Sequence, residues 1–325
     1  MRKLVSIIRK IVIYCFVLLL LSVMTIFTYH QYWLSKEADL LKSNGTIVNI
    51  MNKDIHVYKE GEGKETFVFM SGSGIAAPVY EMKGLYSKFS KENKVAIVER
   101  AGYGYSDIFG DTRDIDTILE QTRTGLKDSG SQPPYILVPH SISGIESIYW
   151  AQKYPEEVKA IIGLDIGLPH EYVDHKLSAV DSLMFRGMQF LTTIGVQRLL
   201  PHVTYDPEVL KQSFLTNKEK KIFKAISNKK AFNQDMKNEI LQTYDNAKKS
   251  TELALPNSTP ILFLSAYTKQ NEHADFTKQK NKNYEAFSDQ LHVSEVQKIE
   301  GKHSIYLYAP ERIYELTTDF INELE

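Results

Sequence analysis

The sequence predicts an α/β fold with a mostly parallel sheet flanked by helices, preceded by an apolar N-terminal helix. Three observations support this prediction. Past residue 98, short apolar runs alternate with segments of helical periodicity, as in parallel sheets whose strands are connected by helices. The runs are apolar nearly throughout, which is typical of strands buried on both faces. An uncharged run near the amino terminus is long enough to form a separate hydrophobic helix.

The uncharged run covers residues 11–29 and approaches the thickness of the hydrocarbon core of a bilayer. Basic residues are clustered before it, so the positive-inside rule predicts that residues 1–10 lie in the cytoplasm. A cleaved signal peptide and a buried core helix are the alternatives. The bulky residues after the run differ from the small-residue cleavage site of a signal peptide. We therefore expect a single-pass transmembrane helix at the cell membrane. Residues 30–45 then form a polar juxtamembrane spacer, and the rest of the chain lies outside the cytoplasm.

Eight short runs are predicted to be strands. Turn-forming Asn, Asp and Gly residues separate the first of them. Helical spacing covers residues 114–128 and 144–153, and a last helix is expected to begin near Pro310. The predicted strands cover residues 47–51, 54–59, 66–70, 94–98, 135–138, 159–164, 261–264 and 293–299.

Residues 169–257 interrupt this alternation and contain no convincing strand pattern. We predict that they form a helical cap, inserted between core segments 46–168 and 258–325. The segment 182–200 is rich in apolar residues. We expect these side chains to pack the cap onto the core, the alternative being an apolar acyl pocket. The lysine-rich run 218–230 is expected to face solvent, the alternative being contact with anionic lipid headgroups.

A candidate nucleophile lies where the predicted strand 135–138 turns into the next helix. A serine at such a turn is held in strained backbone geometry with its hydroxyl exposed. The usual pattern is Gly-x-Ser-x-Gly, because the positions two before and two after the serine must be small. Here these positions are Pro139 and Ser143. Ser141 is the preferred nucleophile, because it falls in the expected phase after the strand, and Ser143 is the alternative.

A second turn of small residues follows the predicted strand 66–70. It reads Ser71-Gly72-Ser73-Gly74, and glycine allows a backbone to approach a substrate closely. Acyl transfer creates an oxyanion that preplaced N–H donors must stabilise. We expect the backbone N–H groups of Ser73 and Ile142 to be these donors. The alternative interpretation is an ordinary flexible loop.

A candidate general base is His303, in the loop between the last predicted strand and the last helix. It follows both the candidate serine and every candidate acid along the chain. His140, His170 and His202 are weaker candidates for this role. His140 adjoins Ser141 in sequence, so its side chain is expected to point elsewhere.

Together these segments resemble the α/β-hydrolase fold family over residues 46–325. The resemblance implies an eight-stranded sheet, a helical cap and a Ser–His–acid triad. Its four landmarks, in chain order, are Ser71-Gly72-Ser73-Gly74, where the family often has His-Gly-x-Gly; Glu99-Arg100-Ala101-Gly102-Tyr103-Gly104-Tyr105-Ser106; Pro139-His140-Ser141-Ile142-Ser143-Gly144 followed by Tyr154-Pro155-Glu156; and Gly301-Lys302-His303.

The acid of this triad has three candidates. The family usually carries it after the strand predicted at 261–264, but no aspartate stands at the expected position there. Some members carry it one strand earlier, which in this chain is Asp165. Asp165 is therefore the preferred acid, and Glu272 and Asp275 are the alternatives.

Composition narrows the function further. The formal net charge is −1, so no global field favours a nucleic-acid partner. The single cysteine, Cys15, excludes an internal disulfide and a cysteine-based metal site. No cofactor is expected, and nothing in the sequence defines the oligomeric state. The predicted function is hydrolysis of a small-molecule carboxylic ester by a serine hydrolase. The alternatives are an amide or peptide hydrolase, with Glu99 or Glu146 binding an amine, and a non-catalytic binding or sensor protein of the same fold.

Overall fold

A computed structural model of the protein describes residues 2–174, 176–200 and 203–324. Within these ranges, eight strands form one sheet in the order β1-β2-β4-β3-β5-β6-β7-β8. The β2 strand is antiparallel to both of its neighbours, and all other pairs are parallel, which confirms the predicted fold class. The strands are β1 (Thr46–Ile50), β2 (Lys53–Glu60), β3 (Thr66–Met70), β4 (Lys94–Glu99), β5 (Tyr135–Pro139), β6 (Val158–Leu164), β7 (Ile261–Tyr267) and β8 (Ser294–Glu300).

Helices cover both faces of this sheet and fill the interval between β6 and β7. Every residue of β3 and β5 is buried, since successive side chains enter opposite cores, and this explains their continuous apolar runs. One core includes Phe89 and Phe320, and the other includes Leu119 and Trp150. The helices are α1 (Arg2–Glu37), α2 (Pro78–Glu81), α3 (Lys83–Phe89), α4 (Ile115–Asp128), α5 (Ser143–Lys153), α6 (Ala179–Ile194), α7 (Glu208–Lys211), α8 (Asn217–Lys230), α9 (Gln234–Thr251), α10 (Asp275–Ser288) and α11 (Pro310–Asn322).

The N-terminal helix α1 is longer than the predicted span and continues through residues 30–37, which were assigned to the spacer. Its apolar part is exposed, and it is long and apolar enough to cross a membrane. Its last turns instead pack on the interval between β6 and β7. Arg198 Nε donates to His30 Nδ1 at 2.8 Å, and its Nη2 lies 2.6 Å from a Glu37 carboxylate oxygen. Residues 30–37 of the predicted spacer therefore belong to a docked helix.

The expected packing of the apolar segment 182–200 against the core was wrong for most of its side chains. Leu183 is 71% exposed and Phe190 59% exposed, whereas Ile194 is buried. The abundance of apolar residues suggested core packing, but it does not show in which direction these side chains point. The lysine-rich run in α8 is mostly exposed, but Lys230 is buried and donates to the Ser106 carbonyl.

Candidate active site

The carboxyl ends of the parallel strands lie at one edge of the sheet, and the loops that follow them converge there. After β5 the backbone turns sharply, and Ser141 adopts a φ of +57° that few non-glycine residues adopt. The Ser143 hydroxyl is buried. It accepts from His140 N–H at 2.9 Å and lies 2.8 Å from the His140 carbonyl and 2.9 Å from the Met70 carbonyl. Ser143 thus stabilises the turn, and Ser141 presents its hydroxyl at the edge of the sheet.

His303 lies beside Ser141 although 162 residues separate them along the chain. Its Nε2 is 2.8 Å from Ser141 Oγ, and its Nδ1 is 2.7 Å from Asp165 Oδ2. The imidazole therefore links an alcohol to a carboxylate. This is the geometry in which a histidine removes a proton from serine while the acid fixes the ring.

Asp165 lies at the end of β6, with its side chain buried and its backbone at a φ of +48°. Its second oxygen, Oδ1, accepts from the Ala266 N–H at 2.8 Å and from Lys280 Nζ at 2.5 Å. Burial would raise the pKa of Asp165, but the His303 hydrogen bond and the Lys280 charge outweigh it and lower the pKa below its usual value. Among the three candidate acids, the structure brings Asp165 to His303. Glu272 and Asp275 are exposed.

Sequence reasoning missed Lys280. The sequence of α10 does indicate that Lys280 faces inward. Lys280 has helical spacing to three buried residues, Thr277, Tyr284 and Phe287. A lysine on the inward side of a helix needs an anionic partner, because an isolated buried charge is costly. Asp165 is that partner.

The other candidate histidines have different environments. His140 is buried, and its Nε2 lies 3.1 Å from the His303 carbonyl oxygen. Burial and the neighbouring His303 lower the pKa of His140 to about 3, so its ring is neutral. His170 stacks on Phe287, and His202 lies outside the described residues. His140 supports the loop that carries His303.

A buried carboxyl group lies behind His140. The Tyr306 ring contacts the edge of the His140 ring, and the Tyr306 hydroxyl donates to Glu81 Oε1 at 2.9 Å. Burial raises the pKa of Glu81 from its ordinary value of 4.5 to about 7. Glu81 is therefore protonated in the folded protein at mildly acidic pH, where it would be ionised in the unfolded chain.

Replacing Glu81 by glutamine should remove a pH dependence of stability. Because folding raises this pKa, the contribution of Glu81 is complete below about pH 4.5 and is lost as the pH rises through about 7. Between about pH 5 and about pH 8, the unfolding free energy of the wild type should fall by on the order of 3 kcal/mol relative to Glu81→Gln. Urea unfolding of the full chain in detergent measures this difference. Glu272→Gln, at an exposed position, is the control, and an equal difference at both pH values would contradict the prediction.

The turn Ser71-Gly72-Ser73-Gly74 lies directly against the candidate nucleophile. A Cβ added to Gly72 would lie 2.9 Å from Ser141 Cβ and 2.8 Å from His140 Nδ1, so only glycine fits there. Within the described residues, the backbone N–H groups of Ser73 and Ile142 donate to no acceptor. Both therefore remain free to stabilise an oxyanion.

A buried arginine hydrogen-bonds to the turn Ser71-Gly72-Ser73-Gly74. Arg100 Nη2 donates to the Ser71 carbonyl at 2.8 Å, and the guanidinium lies 3.4 Å from carboxylate oxygens of Glu146 and Glu239. The Tyr103 hydroxyl, which donates to Glu239 at 2.6 Å, accepts from the Gly74 N–H at 3.4 Å. Glu239 belongs to α9, so this network ties the turn to the interval between β6 and β7. The sequence indicated Arg100 only as part of a landmark and assigned it no role.

The two carboxylates proposed to bind an amine are already engaged. Glu99 is buried, lies 2.9 Å from His56 Nδ1 and accepts from the Tyr105 N–H. Glu146 is buried and accepts from the Thr122 hydroxyl at 2.9 Å, in addition to its pairing with Arg100. Glu99 Oε1 accepts no hydrogen bond among the described residues, but both side chains are buried, so neither carboxylate is accessible to a substrate.

A cleft beside Ser141 and His303 has a volume of about 360 Å³, which is enough for a small ligand. Its lining includes Ser141, Asp165 and His303, together with Tyr172 and Phe276. Among the described residues, no group of three His, Cys, Asp or Glu side chains is arranged to hold a metal ion. The lining supplies the alcohol of Ser141, the imidazole of His303 and the carboxylate of Asp165, and the proposed backbone donors are not part of it.

Comparison with known sequences finds no matching protein-family model. The uncharacterized protein YbdG of Bacillus subtilis is 55% identical over 324 residues, which cover 100% of both chains. The uncharacterized protein YqjL of the same organism is 27% identical over 111 residues, covering 34% of this chain and 43% of YqjL.

Comparison with solved structures establishes the fold. The epoxide hydrolase VrEH1 of Vigna radiata has a TM-score of 0.62 at 16% identity, covering 87% of this chain and 99% of VrEH1. MGS-M2, an α/β-hydrolase enzyme from a deep-sea metagenome library, has a TM-score of 0.61 at 16% identity, covering 85% of this chain and 97% of MGS-M2. At such identities the likeness concerns architecture, which is that of the α/β hydrolases.

Proposed function

Because this chain belongs to one family with YbdG of Bacillus subtilis and has the α/β-hydrolase fold, we propose that it is a membrane-anchored serine hydrolase that cleaves carboxylic esters. The observation that carries the proposal is the hydrogen-bonded series Ser141–His303–Asp165 beside two free backbone donors. Each of these groups has a role in acyl transfer.

The proposed reaction has two halves. His303 Nε2 takes the proton from Ser141 Oγ as that oxygen attacks the ester carbonyl, and the N–H groups of Ser73 and Ile142 stabilise the oxyanion. The imidazolium then returns its proton to the leaving alcohol, and an acyl-enzyme remains. Water, deprotonated by His303, attacks the acyl-enzyme, and the imidazolium returns this proton to Ser141 Oγ as the carboxylic acid is released. Asp165 orients the ring and stabilises its charged form.

Epoxide opening, the activity named for VrEH1, fits this site less well. Attack of a serine oxygen on an epoxide carbon would form an ether, which has no carbonyl for water to attack. The enzyme would then not turn over. A serine nucleophile therefore favours acyl transfer.

Two further observations support this proposal. The first favours esters over amides as substrates, and the second favours catalysis over ligand binding alone. Glu99 and Glu146 are engaged by His56 and Arg100, so neither provides the anionic site that a free amine would need. A protein that only binds ligands would have no need for the series of hydrogen bonds from Asp165 to Ser141, nor for the strained backbone of Ser141.

The membrane location is proposed from α1. Basic residues before the apolar run favour a cytoplasmic amino terminus, and the hydrolase fold would then lie outside the cytoplasm. Removal of residues 2–30 should convert a protein that resists extraction by alkaline carbonate into one that this wash releases from the membrane. Retention of that truncated chain in the membrane fraction after the wash would contradict anchoring by α1.

The full-length protein in detergent should hydrolyse a short-chain p-nitrophenyl ester and should leave aminoacyl anilides intact. An inactive Ser141→Ala sample measures the background of both assays. Cleavage of the anilides at a comparable rate would favour the amide-hydrolase alternative, and no turnover of any acyl substrate would favour a binding protein.

Replacing Lys280 by methionine should lower kcat for the ester by roughly tenfold, the scale of one charge-assisted hydrogen bond. The loss of Nζ leaves Asp165 Oδ1 with only the Ala266 N–H, so the carboxylate is held less firmly and its pKa rises. The steady-state rate near neutral pH measures the effect. Lys278→Met, at an exposed position of the same helix, is the matched control. Equal rates for the two variants would remove Lys280 from the positioning of Asp165.

A further inference from the structure

The amphipathic helix α6 is oriented with its polar side toward the protein. The Gln189 side chain accepts from Lys237 Nζ at 2.7 Å. The Thr192 hydroxyl lies 2.9 Å from the Gln189 carbonyl and 3.3 Å from the Phe232 carbonyl. Phe185 contacts the Phe232 ring, but few other large apolar groups of the helix face inward. In a helix of a soluble protein, the apolar side faces the core. In α6 the apolar side faces away from the protein.

The outward side of α6 is an almost continuous apolar surface, here called the α6 stripe. Leu183 is 71% exposed, Phe190 59% and Val180 76%. Arg186 lies at its edge, where a long side chain can extend toward water or a headgroup. Exposed apolar patches of this kind mark interaction sites. The members of the stripe are Val180, Leu183, Met184, Met188, Phe190 and Leu191, and the exposed residues Leu199, Leu200 and Val203 continue it beyond the helix.

The contact between α6 and α1 indicates what covers the α6 stripe. Gly195, which ends α6, lies so close to α1 that an added Cβ would be 2.3 Å from His30 Cβ. Arg198 fixes the same point by its bonds to His30 and Glu37. His30 directly follows the apolar run 11–29, so the carboxyl end of α6 lies at the level where α1 would leave a bilayer.

We propose that the α6 stripe lies in the outer interfacial layer of the same bilayer that α1 crosses. An amphipathic helix in this layer buries its apolar side among headgroups and upper acyl chains. The helix α8 also packs on α1, and its exposed lysines would lie near anionic headgroups. The proposal rests on α1 being a membrane anchor and extends the proposed function. Its consequence is that the hydrolase takes its acyl ester from the membrane, as an amphiphilic lipid-like substrate.

Depth-dependent quenching tests the docking without reference to activity. One cysteine is introduced into the full-length Cys15→Ser chain, at Leu183 in one variant and at Phe190 in another. Each variant is labelled at that cysteine with a nitrobenzoxadiazole fluorophore and placed in vesicles of phosphatidylcholine and phosphatidylglycerol. Val293, a partly exposed apolar residue just before β8 and therefore at the opposite edge of the sheet, is the control position. Lipids brominated near the headgroup should lower the emission at positions 183 and 190 by about twofold and leave position 293 unchanged.

Two outcomes would overturn the docking. One is the same weak quenching at all three positions. The other is disulfide crosslinking between copies through Leu183→Cys, which would assign the stripe to a second copy of the chain.

The substrate class is tested by a double variant, Leu183→Asp with Phe190→Asp, compared with Val293→Asp. Turnover of a long-chain ester dissolved in vesicles should fall about tenfold in the double variant, because charged residues oppose interfacial binding. Turnover of a water-soluble short-chain ester should stay unchanged. Equal loss on both esters would overturn the membrane-substrate proposal. Absence of turnover on every ester, even in the wild type, would overturn the proposed function while the quenching result still decides the docking.

Discussion

Ser141→Ala is expected to lower kcat for ester hydrolysis by a factor on the order of 10⁶, the scale found when the nucleophile of a serine hydrolase is removed. The reason is geometric. His303 Nδ1 faces Asp165, so Nε2 is the nitrogen that can act as the base, and Ser141 Oγ lies 2.8 Å from it. No other hydroxyl at this turn has a base in reach. Labelling by a fluorophosphonate probe, followed by intact-mass spectrometry, should disappear in the same variant.

Ser143→Ala is the matched control, since it removes a second hydroxyl from the same turn. The Ser143 hydroxyl bridges the ends of β3 and β5, so its loss should reduce stability by about 1–3 kcal/mol and leave labelling intact. The reverse pattern, with labelling lost only in Ser143→Ala, would move the nucleophile to Ser143. Circular dichroism of both variants excludes a trivial loss of fold.

The strands were predictable because burial on both faces of a parallel sheet leaves a continuous apolar run in the sequence. For β3 and β5, all five residues of each strand are buried, and the runs can be read directly. The order of the landmarks then predicted that Ser141 and His303 would meet. Parallel strands place their carboxyl ends at one edge of the sheet, regardless of how far apart the loops are in the chain.

Predictions failed where the partner of a side chain decides its role. Lys280, Arg100 and Glu81 are charged or titratable residues whose significance depends on which groups lie against them, and spacing along the chain does not specify those groups. The orientation of α6 is a similar case. The apolar residues of this segment were expected to pack on the core. Only the contacts of Gln189 and Thr192 reveal that the polar side faces inward.

Asp165→Asn is expected to lower kcat by a factor on the order of 10⁴, with little change in the overall fold at the site. An amide has nearly the shape of the carboxylate, but it no longer stabilises the imidazolium. It can also present an N–H group to His303 Nδ1, which favours the tautomer that carries its proton on Nε2 and so cannot accept the proton of Ser141. The steady-state rate on a short-chain ester measures the loss.

Glu272→Gln and Asp275→Asn are the controls, because sequence reasoning offered both residues as the acid. Each is exposed, so each variant should retain the wild-type rate within about tenfold.

Asp165→Asn also leaves Lys280 beside a neutral amide, which should lower stability as well as rate. Combining it with Lys280→Met separates the two effects, since the double variant removes the unpaired charge. Recovery of stability without recovery of kcat is the result required if the carboxylate acts on His303. Recovery of both would mean that Asp165 serves only to neutralise Lys280.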